Sequence, residues 1–320
     1  MQGKKRDLSL ASAGKYRLIY PSISCTISVM GADQEGGRFV RIPESCAQCL
    51  YNRQRKRMPD EEYLAEVRAL IENRGENDTS PLLVYRFNQA FARRFGASDG
   101  YAEVKRRYND LVLGMADQLR ARIEAAADPV EAALAFARVG NYIDYGAMDT
   151  VEEQTFLKLF DLAGLRAEEM ETYRHFRSAC ESGKQFLLIA DNCGEIVLDR
   201  LLLEQLKIRF PHLRLQVLVR GKEVLNDVTP RDAEYVGIGR VAEILSNGAA
   251  IAGTVYDMMP EKAQNALDTA DVILAKGQGN YESLTGQGWH IFYAFLCKCE
   301  LFTRRFSVPP LTGMLVEEMA

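Results

Sequence analysis

The sequence predicts an α/β protein: a doubly wound C-terminal half with a mostly parallel sheet, preceded by an all-helical region. Three observations carry this. Residues 44–182 show only helical spacing of apolar residues. After Gly183 the texture changes to short apolar runs of strand length, at 185–190, 213–221, 241–246, 270–276 and 290–297. Helical patterns separate the first four runs, and strands alternating with helices imply right-handed βαβ units under a sheet covered on both faces. A Rossmann-like α/β/α arrangement is therefore expected for 183–320, and a helical domain for 44–182.

Each helix of the first region has its own signals. Pro59 opens "PDEEYLAEVRALIENRG", in which Leu64, Val67, Leu70 and Ile71 form one stripe and Gly75 is the stop. Ser80-Pro81 reads as an N-cap followed by proline at the first helical position, in a helix running to Gly96. Tyr101, Val104, Tyr108, Leu111, Met115, Leu119 and Ile123 recur at threes and fours and predict one long helix. Asp128-Pro129 starts another, ending near Gly140, and two more are expected at about 150–162 and 167–181. Residues 1–43 contain a loop, "GADQEGG" at 31–37, and no element with an assignable role.

Composition excludes several classes. A hydrophobic share of 47% with 26% charged residues is that of a soluble globular chain, and a net charge of −4 gives no general attraction to nucleic acid. The basic run Arg53-Gln54-Arg55-Lys56-Arg57 lies on an expected helix and reads as a solvated face. No apolar stretch is long enough for a membrane span, and no signal-peptide core follows Lys4-Lys5-Arg6. Seven cysteines, an odd number in a large chain, favour a reducing cytoplasm.

Open parallel sheets bind ligands at the carboxyl ends of their strands. Here those ends carry Asp191-Asn192-Cys193-Gly194, then "RGKEVLNDVT" with Asn226 and Asp227, then Ser246-Asn247-Gly248, then "KGQGN" from Lys276 to Asn280, with Lys298 after the fifth. Any one such loop is explained as a turn. Their coincidence at one edge points to a pocket. Asp191, Asn192 and Asp227 offer only oxygen ligands, and His175, His212 and His290 lie elsewhere, so the set suits a hard divalent cation such as Mg²⁺ or Mn²⁺, with Co²⁺ or Ni²⁺ as substitutes. A helix starting near Glu195 turns its N-terminus to the same place, and Lys276 between an apolar strand and Gly277 is expected to emerge where burial ends. Metal, lysine and helix N-terminus around one crevice suggest phosphate-ester chemistry.

"DNCGEIVLDRLL", "VRGKEVLNDVTPRDAEYVGI" and "ADVILAKGQGNYESL" resemble the signature segments of the metal-dependent damage-control phosphatases, the family long catalogued as domain of unknown function 89. "GNYIDYG" at 140–146 and "CAQC" at 46–49 resemble its prokaryotic branch. The resemblance runs from about residue 43 to 300. It implies a helical domain on a Rossmann-like domain and metal-dependent hydrolysis of small phosphorylated metabolites, sugar phosphates or damaged cofactor-like phosphates. Asp191, Asn192 and Asp227 are then the metal set. Glu195, Asn280 and Lys298 are substrate or phosphate contacts, with Lys276 acting in catalysis. Asn141 and Asp144 line the site, and Ser246 stands at its edge. The chain departs from the family pattern at Cys193, where alanine is expected, and in its first 40 residues.

Other readings of the same residues weigh less. Cys46 and Cys49 form half a zinc pattern that only Cys297 and Cys299 could complete, and free thiols more often pack as small hydrophobes. "GASDG" at 96–100 matches a nucleophile elbow by letters but falls between helices. An S-adenosylmethionine-dependent carboxyl methyltransferase is the main competitor, although no G-x-G-x-x-G follows the first strand. A metal-binding protein without turnover is the third reading.

Overall fold

The computed structural model describes residues 42–96, 101–142, 160–161 and 163–320. The helix expected at about 150–162 and the candidate Asp144 lie outside them.

Within 44–182 the described elements are helices: α1 (Glu44–Arg57), α2 (Glu61–Glu72), α3 (Ser80–Phe95), α4 (Ala102–Glu124), α5 (Pro129–Val139) and α6 (Met170–Ser182). Their boundaries follow local chemistry. Asp60 caps α2 by accepting from the Tyr63 N–H, and Asp128 caps α5 through Val130 and Glu131. The start of α3 falls one residue earlier than expected: Thr79 is the N-cap, Ser80 begins the helix and Pro81 still sits in the first turn. Gly96 ends it with φ of 87°. The basic run at 53–57 forms the last turn of α1, where Arg57 donates to Asn88 and lies over the Phe91 ring. It is a surface feature, as expected.

The second half alternates: β1 (Gln185–Ile189), α7 (Glu195–Arg209), β2 (Arg214–Val219), α8 (Pro230–Tyr235), β3 (Glu243–Ser246), α9 (Glu261–Thr269), β4 (Val272–Lys276), α10 (Gly277–Leu284), β5 (Ile291–Leu296), α11 (Glu300–Phe306) and β6 (Gly313–Glu318). The sheet order is β3-β2-β1-β4-β5-β6. The first five strands are parallel to their neighbours and match the five apolar runs. β6, which sequence patterning did not anticipate, returns antiparallel along β5.

Alternation along the strands divides the core. Phe186, Leu188, Leu274 and Phe292 pack with α4, α5, α6 and α7, while Leu187, Ile189, Ile273 and Phe295 pack on the other face with α9, α10 and α11. α7 is apolar nearly all round because it is sandwiched between the sheet and the α4–α5 pair. α1, α2 and α3 close a separate apolar cluster around Tyr63, Val67, Leu83 and Phe87. The chain leaves β1 towards β2 and β3, then returns to place β4 on β1's other side. The crevice opened by that reversal lies between the ends of β1 and β4.

Candidate active site at the strand ends

β1 ends at Ile189, paired with Ala275 of β4, so two residues on Asp191 comes level with Gly277. Gly277 has φ of 78°, and a Cβ there would stand 2.0 Å from Asp191 Oδ2. The carboxylate thus rests on bare backbone, and glycine is required for both reasons. Gly277→Ala is expected to lower kcat by roughly 10²-fold, because a displacement near 1 Å at a reacting group costs about that much. A steady-state comparison of the folded variant checks it.

β2 supplies the second carboxylate. Asn192 and Asp227 form an isolated antiparallel bridge, and the Val228 N–H donates to Asp191 O at 2.9 Å, so the two loops are stitched together. Asp191, Asn192 and Asp227 are therefore assembled in one place. Sequence reasoning missed the residue that joins them. Arg220, one residue beyond β2 and 1% exposed, donates from Nε to Asp227 Oδ2 at 2.7 Å and from a terminal nitrogen to Asp191 Oδ1 at 3.3 Å. Its other terminal nitrogen reaches Asn280 Oδ1 at 2.9 Å and Gly253 O at 3.0 Å.

A second layer lies against α7. Asn192 Nδ2 donates to Asp191 Oδ2 at 2.8 Å and to Glu195 Oε2 at 3.0 Å; Asn141 Nδ2, from the turn after α5, donates to the same two oxygens at 3.1 Å each. Asn141 Oδ1 accepts from the Leu296 N–H. Gly140 makes this approach possible, since a Cβ there would lie 3.0 Å from Glu195 Cγ. The N-terminal Gly194 N–H of α7 is taken up by Asn109 Oδ1 at 2.6 Å.

Lys276 differs from the local expectation. It does not emerge: its side chain is fully buried, with Nζ 2.6 Å from Glu195 Oε1, 2.7 Å from Asp199 Oδ1 and 3.0 Å from Ala137 O. The strand's alternation turns it onto the α7 face, below the crevice rather than at its mouth. Asn280 is also fully buried, its amide donating to Ala190 O and Lys276 O, its oxygen accepting from Arg220 and Thr254 Oγ1. Ser246 is not brought to the carboxylates by any described contact; its hydroxyl accepts from the Gly248 N–H and holds the turn. Lys298, half-buried in the loop after β5, is near enough to favour the charged form of Asp191.

The charges do not balance. Burial, with Asp227 and Glu195 beside it, pushes the Asp191 carboxyl up to about 8 against the opposing pull of Arg220 and Lys298. Burial alone would lower the Lys276 ammonium, but Asp199 and Glu195 outweigh it and raise it. Burial lifts Asp199 to about 7 despite Lys276. Among the described residues no three of His, Cys, Asp and Glu are arranged to hold a metal ion. The oxygen set here is two carboxylates and an amide, short of positive charge, which fits one hard cation completed by water or substrate oxygens. Cys193 is buried, and burial raises its thiol well above the usual range, so it packs rather than attacks. Cys46 is half-buried with Sγ 3.6 Å from Ser80 Oγ, and Cys49 is exposed.

Residues 39–310 match the Damage-control phosphatase ARMT1-like domain. The chain belongs to this family. A protein named damage-control phosphatase from Archaeoglobus fulgidus is 32% identical over 284 residues, 84% of this chain and 96% of the relative. Another so named, from Pyrococcus horikoshii, is 28% identical over 220 residues, 67% of this chain and 73% of its own length. The crystal structure of a Pyrococcus horikoshii protein of the domain-of-unknown-function-89 family superposes with a TM-score of 0.73 at 20% identity, covering 87% of this chain and 99% of that one. In this damage-control phosphatase family member the matched span contains every described element from α1 to α11.

Proposed function

We propose that this protein is a metal-dependent phosphatase acting on small phosphorylated metabolites, either sugar phosphates or damaged cofactor-like phosphates. The observation that carries the reading is the meeting of Asp191, Asn192 and Asp227 at the β1/β4 crevice with more negative charge than Arg220 offsets. The family membership and the names of the relatives support phosphate-ester hydrolysis.

Asp191, Asn192 and Asp227 would hold Mg²⁺, Mn²⁺, Co²⁺ or Ni²⁺, which supplies Lewis-acid polarisation of a phosphoryl oxygen and acidifies bound water. The chain's own groups do the positioning. Arg220 would hold both carboxylates in place. Lys298, whose charge acts on Asp191, would neutralise a phosphoryl oxygen. Asn141 and Asn192 hold Glu195 Oε2 against Asp191, so that a water attacking phosphorus is oriented by carboxylate acceptors. The P–O ester bond breaks as the new P–O bond forms, a proton passes to the leaving oxygen, and the products are inorganic phosphate and an alcohol.

Phosphate release from a panel of phosphometabolites, with and without chelator, tests this. Release is expected to need a divalent cation, with Mn²⁺, Mg²⁺, Co²⁺ and Ni²⁺ restoring it to different extents after chelation. Undiminished release in excess chelator would overturn the metal requirement. Methyl transfer from S-adenosylmethionine without phosphate release would favour the methyltransferase reading instead.

A further inference from the structure

Beneath the crevice, one lysine serves two carboxylates. Lys276, Glu195 and Asp199 are each fully buried. The ammonium uses its three donors on Glu195 Oε1 (2.6 Å), Asp199 Oδ1 (2.7 Å) and Ala137 O (3.0 Å). That is the full donor capacity of a lysine. Asp199 stands four residues after Glu195 on α7, so both carboxylates project from one face of the helix towards β4. Asp199 Oδ2 is buried with no hydrogen-bond partner among the described residues.

A fold needing only to neutralise Lys276 would stop at Glu195. A second buried carboxylate, half of it unsatisfied, is a cost that packing does not explain. We infer that Asp199 is a positioning residue for the phosphatase reaction, holding the Lys276 ammonium off-centre so that Glu195 is clamped through Oε1 and presents Oε2 to Asn141, Asn192 and the Asp191 crevice. This rests on the phosphatase reading above. Among the described residues Asp199 makes no hydrogen bond to Asp191, Asn192 or Asp227; its hydrogen-bond partner is Lys276. With Asp199 in place the ammonium's charge is shared, and Glu195 keeps negative charge on the oxygen facing the site. Without the Asp199 charge, Glu195 is the ammonium's one anionic partner, and the cation shifts onto it, which rotates the carboxylate and weakens its hold on the two asparagines.

Asp199→Asn keeps the shape and removes the charge. Its kcat is expected to fall about tenfold while KM and the affinity for Mn²⁺ alone, measured by calorimetry, stay within about twofold. A cycle with Lys276→Met should be strongly non-additive, because removing the Asp199 charge costs little further activity once the ammonium it hydrogen-bonds is gone. In ¹⁵N-lysine spectra the slowly exchanging Lys276 ammonium should shift in Asp199→Asn, a signal that does not depend on turnover. That shift would uphold the clamp even if the wild type released phosphate from no substrate, which would sink only the phosphatase reading. Wild-type kcat in Asp199→Asn, an additive cycle, an unmoved ammonium resonance, or a loss of kcat matched by loss of Mn²⁺ binding would each overturn the inference. If Asp199→Asn does not fold, Asp199→Ser, smaller and open to a bridging water, is read by the same criteria.

Discussion

Lys276→Met should lower the stability of this protein by about 3–5 kcal/mol, the usual cost of removing one partner from a buried ion pair. The lysine neutralises Glu195 and Asp199 from a position with no exposure at all. Methionine fills the same volume, so the loss is electrostatic rather than a cavity. A lysine at the mouth of the site would cost within ~0.5 kcal/mol on replacement. Urea denaturation distinguishes the two directly. The sign of the pH dependence is fixed as well. Asp199 already titrates near 7 in the folded protein, above its ordinary value of 3.8. A group raised in this way contributes stability at low pH and loses it as pH climbs through the folded value. Without Lys276 the Asp199 carboxyl is pushed higher still, so the deficit should be small near pH 4 and grow as pH climbs past about 7. A deficit that is flat in pH, or below about 1 kcal/mol, would mean the triad is not paired as described. Lys276→Arg is expected to rescue poorly, because a planar fork cannot reach three acceptors arranged around a point charge.

The burial of Lys276 runs against the local pattern of its strand. The five apolar runs needed only strand propensity and punctuation, and all five became parallel strands. The strand "VILAK" ends in a charge, and a charge after an apolar run ordinarily marks the water boundary. Period-two parity was the better signal: Val272 and Leu274 face the α7 layer, and Lys276 continues that row. Parity alone could not say that Glu195 and Asp199 wait there. That requires knowing that α7 lies over β4. Arg220 was illegible for a related reason. An Arg-Gly pair after a strand reads as the start of a loop, and nothing local reports two carboxylates from loops 29 residues and 7 residues away. β6 escaped because "GMLVEE" has only three apolar residues and follows no βαβ pattern; its place is set by pairing along β5. The apolar stripe of α4 shows that this helix has a buried face. It does not show that this face packs in the cluster that includes the sheet, with α1–α3 clustered separately.

Asp227→Asn carries the largest expected loss of activity, on the order of 10³-fold in kcat/KM. Asparagine keeps the side-chain shape and can still accept from Arg220 Nε, now 2.7 Å from the carboxylate, so the Asn192–Asp227 bridge should survive. What goes is one of the two negative charges that make the crevice a cation site. Stability should not follow activity. Asp227 is, after burial, the main group pushing the Asp191 carboxyl up, so its neutralisation relieves a like-charge contact. That relief offsets part of the loss of the buried Arg220–Asp227 pair, so the metal-free variant is expected to fall short of the wild type by less than the cost of an unrelieved pair, about 3–5 kcal/mol. The two forms should part further when cation is added. A ligand at 100 times its Kd stabilises the folded state by about 2.7 kcal/mol. Mn²⁺ should raise the melting temperature of the wild type and leave that of Asp227→Asn nearly unmoved, whichever metabolite is the substrate. An Asp227→Asn protein that keeps both the Mn²⁺-dependent rise and wild-type phosphate release would reduce Asp191 and Asp227 to ion-pair partners of Arg220 and remove the metal from the β1/β4 crevice.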